Sequence, residues 1–202
     1  MINLHQRQAG VLLHVTSLPG PNGIGDFGPD AYSFVDWLQS AGQSLWQWLP
    51  TTPIGPGDSP YQSVSAFAGS PLMVALEPLV AAGWLQAPQA PETGFDALRV
   101  NFSTVVPWRL SQLRAAFAGF GLKNAAQERA AFEYWQKREA SWLDDYALFM
   151  ALETENGGKA WWHWPAEVRE REAGALGAAR LRLADEIGFW AFVQWCFDTQ
   201  LA

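Results

Sequence analysis

The order of the apolar segments near the start of the chain constrains the fold most. An apolar run over Val11–Ser17 predicts a buried strand, and a turn rich in proline and glycine follows it. Pro29 predicts the start of a helix that Gly42 ends, and a short apolar run over Leu45–Pro50 predicts a second strand. Strand, helix and strand in this order form a βαβ unit with parallel strands and a right-handed crossover. The predicted fold class is therefore α/β.

A loop of unusual composition follows the second predicted strand. Residues Gly55–Pro71 read GPGDSPYQSVSAFAGSP, and their glycine, proline, serine and aspartate predict fixed bends rather than a helix or strand. An aromatic face flanked by hydroxyl and amide groups suits a pyranose sugar. The alternative is a structural loop whose aromatic side chains fill the core beneath it. The side chains concerned are Ser59, Tyr61, Gln62, Ser63, Ser65 and Phe67.

Helical periodicity dominates the chain after a proline-rich link at Gln86–Gly94. A helix is predicted from Trp108, and Gly119 and Gly121 are expected to interrupt it. Its predicted apolar stripe consists of Leu110, Leu113 and Phe117.

Two longer helical segments follow. One is predicted over about residues 126–152, and Gly157 and Gly158 end it. The other covers about residues 175–199, and its last part, IGFWAFVQWCF, is apolar on every side, which is typical of a helix buried in a complete protein.

Composition excludes several classes of partner. Charged residues make up 16% of the chain, the net charge is −7 and no basic residues cluster, so we expect neither nucleic acid nor a membrane surface as a partner. The N-terminal residues lack an apolar signal core, and no apolar run approaches membrane-spanning length. Cys196 is the single cysteine, which excludes an internal disulfide and favours a reducing, cytoplasmic setting.

No cofactor or metal ion is predicted. Glycines 23, 25 and 28 spell G-x-G-x-x-G, but Pro19–Asn22 separate this motif from the first strand, and no acidic residue follows the second strand. A dinucleotide-binding fingerprint requires both features. No metal-ligand spacing relates the three histidines, which are His5, His14 and His163.

Two aromatic groups have two interpretations each. His14 lies within the first predicted strand, and we favour a hydrogen-bonded core or rim histidine over a substrate contact. The segment WWHWP at Trp161–Pro165 is favoured as a packing corner, with a sugar platform as the alternative.

Four segments, taken in order, resemble one known family. These are VLLHVTSLPGPNGIGDFG at Val11–Gly28, the loop Gly55–Pro71, REASWLDDYALFMAL at Arg138–Leu152, and WWHWP at Trp161–Pro165. Together they resemble the 4-alpha-glucanotransferases of the amylomaltase type, glycoside hydrolase family 77. The resemblance covers about residues 8–198 and only the N-terminal part of the family's sequence.

The resemblance implies a fold and a function. The fold is the N-terminal part of a (β/α)8 TIM barrel with an inserted, mainly α-helical subdomain. The expected ranges are 1–71 for the start of the barrel, 72–174 for the insert and 175–202 for a barrel helix. The implied activity is transfer of an α-1,4-glucan segment to the 4-hydroxyl of an acceptor glucan through a covalent glycosyl-enzyme intermediate. The implied partners are α-1,4-glucans such as maltooligosaccharides, starch or glycogen chains.

The resemblance also places Tyr61 against the sugar ring beside the scissile bond, with Pro60 as part of a rigid mount. Asp58 is a candidate acceptor for a sugar hydroxyl, although a side-chain bond that stabilises the turn is an equal alternative. The full set of candidate substrate-binding residues is Asp58, Ser59, Pro60, Tyr61, Gln62, Ser65 and Phe67.

The pair of carboxylates that retaining glycosyl transfer requires is not identified in this chain. Such a pair lies about 5 Å apart. Asp144 and Asp145 are neighbours on a predicted helix and point about 100° apart, and Asp26 and Asp58 lie in loops. No catalytic residue is therefore assigned, and these 202 residues alone are expected to be inactive.

Two alternatives remain, a non-catalytic α-glucan-binding module and an inert N-terminal fragment. Without the rest of a barrel, the final apolar helix is expected to lack partners, which predicts a molten or aggregation-prone chain. The side chains behind this expectation are Phe189, Trp190, Phe192, Val193, Trp195 and Phe197.

Overall fold

A computed structural model describes residues 7–123 and 125–202, so His5 lies outside the described residues. The described part of the chain is mostly helical and contains one small sheet. The strands are β1 (Gly10–Leu12) and β2 (Leu45–Gln47). The helices are α1 (Pro29–Ser40), α2 (Glu77–Ala81), α3 (Phe102–Lys123), α4 (Ala126–Glu155), α5 (Ala166–Arg169), α6 (Ala173–Arg182) and α7 (Ala184–Leu201). Short 3₁₀ turns occur at Val15–Ser17, Pro56–Asp58, Pro71–Met73 and Trp161–His163.

Strand β1 precedes α1 in the chain and β2 follows it, and the two strands pair in parallel. This confirms the predicted strand–helix–strand unit. The predicted extent of the first strand was wrong, because β1 ends at Leu12 and the chain turns at Val15–Ser17. The Leu13 N–H still donates to the Gln47 carbonyl of β2 at 2.9 Å. The Leu13 carbonyl accepts a hydrogen bond from the indole N–H of Trp46 at 2.7 Å, so its partner in β2 is a side chain and not a backbone N–H. The strand is also not buried, because β2 is its one strand neighbour in the described part of the chain.

Helix α1 begins with Pro29, as predicted, and its last residue is Ser40. Gly42 follows with φ near 70°, a conformation that glycine adopts without steric cost. In the same way, Gly157 and Gly158 follow α4 with positive φ, which confirms the predicted end of that helix.

Helix α3 differs from its prediction. It begins at Phe102 and continues through Gly119 and Gly121 without interruption. A Cβ atom at position 119 would lie 2.0 Å from the Trp84 carbonyl oxygen, so Gly119 permits close packing rather than stopping the helix. The buried stripe is also rotated from the predicted one and consists of Val105, Arg109, Leu113, Ala116 and Phe120.

The last predicted helix is two helices, α6 and α7, with Leu183 between them in a non-helical conformation. The expectation that the apolar end lacks partners was wrong, because this chain already buries most of it. The Phe132 ring of α4, for example, lies 5.3 Å from Trp195 between ring centroids. The residues of the apolar end that are buried are Phe189, Trp190, Ala191, Phe192, Val193, Cys196 and Phe197.

The chain divides into two compact units, Met1–Lys123 with Phe197–Ala202, and Asn124–Cys196. In the first unit, Gln200 bonds both the N–H and the carbonyl of Ala75, and the Phe27 and Phe197 rings meet edge to face. The domain ranges 1–71, 72–174 and 175–202 stay a prediction. Among the described residues, no helix has the length and apolar character needed to cross a bilayer.

Candidate functional site

The loop Gly55–Pro71 is fixed at its base to the segment that follows β2. The Ser70 N–H donates to the Thr51 carbonyl at 2.7 Å, and the Thr52 hydroxyl donates to the Pro60 carbonyl at 3.0 Å. Gly69 is buried against Phe197, where a Cβ atom would lie 2.2 Å from the ring. The loop is therefore bonded at two points to Thr51 and Thr52, and the residues between these points project from a fixed base.

A tight turn opens the loop. The Gly55 N–H donates to the Ser59 carbonyl at 3.0 Å, and Gly57 and Asp58 between them have φ of 71° and 57°. Aspartate tolerates this left-handed region better than most residues. A Cβ atom at Gly55 would lie 1.7 Å from the Gln62 carbonyl oxygen, so the turn requires glycine there.

Serine hydroxyls hold the backbone on either side of the exposed aromatic residues. The Ser59 oxygen accepts from the Tyr61 N–H at 3.3 Å, and the Ser65 oxygen accepts from the N–H groups of Phe67 and Ala68 at 3.1 Å. A hydroxyl that accepts in this way still has its own hydrogen to donate. Ser59 and Ser65 can therefore fix the loop and donate to a ligand at the same time.

The aromatic side chains of the loop face solvent. Tyr61 is 70% exposed and Phe67 is 75% exposed, and Gln62 between them is exposed as well. In this chain, therefore, these two rings do not fill the core beneath the loop. Exposed aromatic rings on a fixed backbone can stack against an apolar ligand face with little loss of conformational freedom.

Asp58 is exposed within the tight turn that opens the loop. Within the described part of the chain, no hydrogen bond or ion pair involves its carboxylate, and the backbone bonds that stabilise the loop come from Ser59, Ser63 and Ser65 instead. Both carboxylate oxygens of Asp58 are thus open to a hydroxyl donor. Of its two proposed roles, the geometry favours the acceptor over the turn-stabilising bond.

Asp26, the other loop carboxylate, is not available to a ligand. Its Oδ2 lies 2.9 Å from Nη2 of Arg109, and its Oδ1 accepts from the Gly28 N–H at 2.9 Å. Arg109 is completely buried and also donates to the Val74 carbonyl. Burial raises the pKa of Asp26, and the positive charge of Arg109 opposes that rise.

Sequence reasoning did not identify this polar cluster, in which Arg109 and Asn22 are buried and Asp26 and Glu77 are partly buried. The Asn22 amide donates to Glu77 Oε1 at 3.2 Å. One signal was present in the sequence, because Arg109 lies at helical spacing from Leu113 and Ala116. An arginine on an apolar stripe indicates a buried charge that needs a carboxylate partner.

The remaining candidates occupy different places. His14 lies after β1 rather than within it, and its buried Nδ1 has no hydrogen-bond partner among the described residues, so the expected hydrogen-bonded histidine was wrong in this respect. Asp145 is exposed and pairs with Arg171 through both carboxylate oxygens. No group of three or more His, Cys, Asp or Glu residues suited to a metal ion occurs among the residues that the structure describes.

Comparison with known proteins gives a consistent result. A family model described as 4-alpha-glucanotransferase matches residues 13–202. The 4-alpha-glucanotransferase of Thermus thermophilus is 47% identical over 194 residues, which are 96% of this chain and 38% of that protein. The chloroplastic/amyloplastic 4-alpha-glucanotransferase of Solanum tuberosum is 36% identical over 96% of this chain and 34% of that protein.

A solved structure agrees with these sequence matches. An amylomaltase from Streptococcus agalactiae in complex with acarbose superposes with a TM-score of 0.91 at 35% identity, over 96% of this chain and 39% of that one. The chain thus spans less than two fifths of the length of these relatives. The resemblance found in the sequence is confirmed, and the chain belongs to the 4-alpha-glucanotransferase family.

Proposed function

We propose that this chain is the N-terminal part of a 4-alpha-glucanotransferase and that the loop Gly55–Pro71 forms one wall of its glucan site. The complete enzyme would transfer an α-1,4-glucan segment to the 4-hydroxyl of an acceptor glucan. The observation that carries the proposal is the exposure of Tyr61 and Phe67 on a loop whose base and turns are fixed by hydrogen bonds. Membership of the family supports the substrate class.

We infer that β1, α1 and β2 are the first unit of a (β/α)8 barrel. In barrel enzymes, the loops that follow the carboxyl ends of the strands build the active site. The loop Gly55–Pro71 follows β2 in this way. On this proposal, residues 1–71 open the barrel, 72–174 form a mainly helical insert and 175–202 return to the barrel.

Each candidate residue has a role that its geometry allows. Tyr61 stacks on a glucose ring, and Pro60 and the Ser59 hydroxyl hold its backbone. The side chains that bind sugar hydroxyls or extend the aromatic surface are Asp58, Ser59, Gln62, Ser65 and Phe67. The nucleophile and the acid/base of a retaining mechanism are not assigned to this chain. The loop residues named here bind and orient the glucan.

We also infer a reducing compartment, such as the cytoplasm, for this protein. Cys196 is a free, buried thiol, and burial raises its pKa, which suppresses the reactive thiolate. The relative from Solanum tuberosum carries a chloroplastic/amyloplastic name, so the compartment differs among members.

Calorimetric titration of the chain with maltohexaose tests the proposal. Tyr61→Ala is expected to weaken binding about three- to tenfold, which corresponds to the ~0.5–1.5 kcal/mol typical of an aromatic stack. Tyr134→Ala is the matched control, because Tyr134 is 71% exposed against 70% for Tyr61 but lies on α4. Equal affinity in the Tyr61 variant and the unsubstituted chain, or equal losses in both variants, would contradict the proposed loop site.

A further inference from the structure

The helical unit contains a cavity that the loop site does not explain. Its volume is about 380 Å³, which falls in the range of small-ligand sites. Apolar side chains from α4 and α6 form much of its wall, including Phe149 and Leu176, and Trp161 and Trp164 belong to the same wall. Asp145, Arg169 and Arg171 also line it. Every one of these residues belongs to the unit Asn124–Cys196.

The tryptophans of WWHWP divide into two kinds. Trp164 is buried, its indole N–H donates to the Lys159 carbonyl at 2.7 Å, and its ring lies 5.2 Å from that of Phe149. Trp161 and Trp162 are 50% and 57% exposed, with their rings edge to face. The packing-corner interpretation accounts for Trp164, which is buried, but not for the half of the Trp161 surface that is exposed. Trp161 lines the cavity, and Trp162 lies outside it.

Polar groups at the cavity are both acceptors and donors. The Arg171 guanidinium donates to the two oxygens of Asp145 at 3.1 and 3.0 Å, and Arg180 lies 3.8 Å from the same carboxylate. Arg171 has φ of 59°, a conformation that costs energy for a residue with a side chain. A carboxylate beside a guanidinium offers both hydrogen-bonding partners that a sugar hydroxyl uses, and both side chains of this pair are exposed to solvent.

We propose that this cavity is an auxiliary α-1,4-glucan site, in which Trp161 stacks on a glucose ring and Asp145 and Arg171 bind its hydroxyls. The choice of an α-glucan rests on the proposed function, whereas the aromatic wall and the paired charges indicate a pyranose independently of it. An aromatic ring that lines a cavity beside paired hydrogen-bonding groups matches the two faces of a sugar. Trp162 meets the Trp161 ring edge to face, and a stacked glucose ring would cover the part of Trp161 that stays exposed.

Titration of the full chain with maltotriose, combined with two substitutions, separates this site from the loop. In a Tyr61→Ala background, residual binding is expected to remain, and adding Trp161→Ala is expected to weaken it about tenfold. Tyr134→Ala in the same background is the matched control and should change nothing, because Tyr134 is an exposed aromatic residue on α4 that does not line the cavity. Trp161→Phe keeps a ring in the wall and should restore most of the binding, which shows that the loss comes from stacking rather than from unfolding.

The outcomes distinguish the two proposals. Loss of binding with Trp161→Ala but not with Tyr61→Ala supports the cavity and contradicts the loop site. Equal binding by the Tyr61→Ala chain with and without Trp161→Ala overturns the cavity site and leaves the loop site standing. Equal affinity for maltotriose and cellotriose in the Tyr61→Ala chain overturns the α-glucan assignment of the cavity.

Discussion

The guanidinium of Arg109 lies 2.9 Å from the carboxylate of Asp26, 83 residues earlier in the chain, and Arg109 has no exposed surface. Arg109 also donates to the carbonyl of Val74, just after the loop Gly55–Pro71, while Asp26 holds the Gly28 N–H that precedes α1. One buried ion pair therefore connects α3 with two segments of the first unit. Because a buried charge without its partner is costly, this pair should be sensitive to substitution.

Arg109→Met tests this relationship. The substitution leaves the partly buried Asp26 and Glu77 carboxylates without the positive charge that faces them, which predicts a loss of about 3–5 kcal/mol in the free energy of unfolding. Urea denaturation measures it. Arg182→Met removes an exposed pair with Glu155 and should cost far less, because solvent screens that pair. Equal losses in the two variants would show that the Arg109 pair has no special structural role.

The sequence predicted those features that depend on neighbouring residues. Parallel pairing of β1 and β2 follows from the strand–helix–strand order, and the ends of α1 and α4 follow from Gly42 and from Gly157 and Gly158, which take left-handed conformations. The composition of the loop Gly55–Pro71 indicated fixed bends, and its serines supply the side-chain bonds that make them. Local chemistry was sufficient for all of these.

Features that depend on distant partners were missed. The buried face of α3 is set by Arg109, whose partner Asp26 is far away in sequence, so the apolar residues alone gave the wrong stripe. Glycine composition predicts a break at Gly119, and no neighbouring residue reveals that Trp84 packs against this position. The burial of the apolar end of α7 likewise depends on residues far from it in sequence, such as Phe132.

Gly55 provides a test of whether the shape of the loop matters for binding. Gly55→Ala would bring a methyl group into the Gln62 carbonyl, so the turn that carries Asp58 and Tyr61 must move. We expect a clear loss of maltohexaose affinity in calorimetry with little change in melting temperature, because the turn is exposed. Gly177→Ala, in α6 with open space around it, should raise stability by about 0.5–1 kcal/mol and leave affinity unchanged. Unaltered maltohexaose affinity in Gly55→Ala would show that glucan binding does not depend on the conformation of this loop.

His14 predicts a dependence of stability on pH. Burial lowers its pKa below the usual 6.5, so the unfolded chain takes up the proton more readily than the folded chain. The stabilisation is therefore fully present above about pH 6.5 and is lost as the pH falls through the folded-state pKa. Melting temperatures measured between pH 5 and 7 should fall with pH, and less so in His14→Gln. A slope that persists in His14→Gln but disappears in His163→Gln would contradict the assignment.

Catalysis is expected to require residues outside this chain. Purified chain incubated with maltotriose should release no glucose and form no longer maltooligosaccharides, because the paired carboxylates of a retaining mechanism are not identified in it. Product analysis by chromatography measures this, with host enzymes excluded by a mock purification. Turnover that co-purifies with the chain and survives that control would show that a catalytic pair lies within these residues.

Backbone amide shifts during titration with maltohexaose test the loop assignment most directly, since they report on individual residues. We predict that the largest shifts occur between Asp58 and Phe67, including the amides of Tyr61 and Phe67 that Ser59 and Ser65 hold. Cellohexaose, which has the β linkage, should shift them less at the same concentration. If the amides of this loop stay in place while maltohexaose binds, the loop Gly55–Pro71 is not the glucan site.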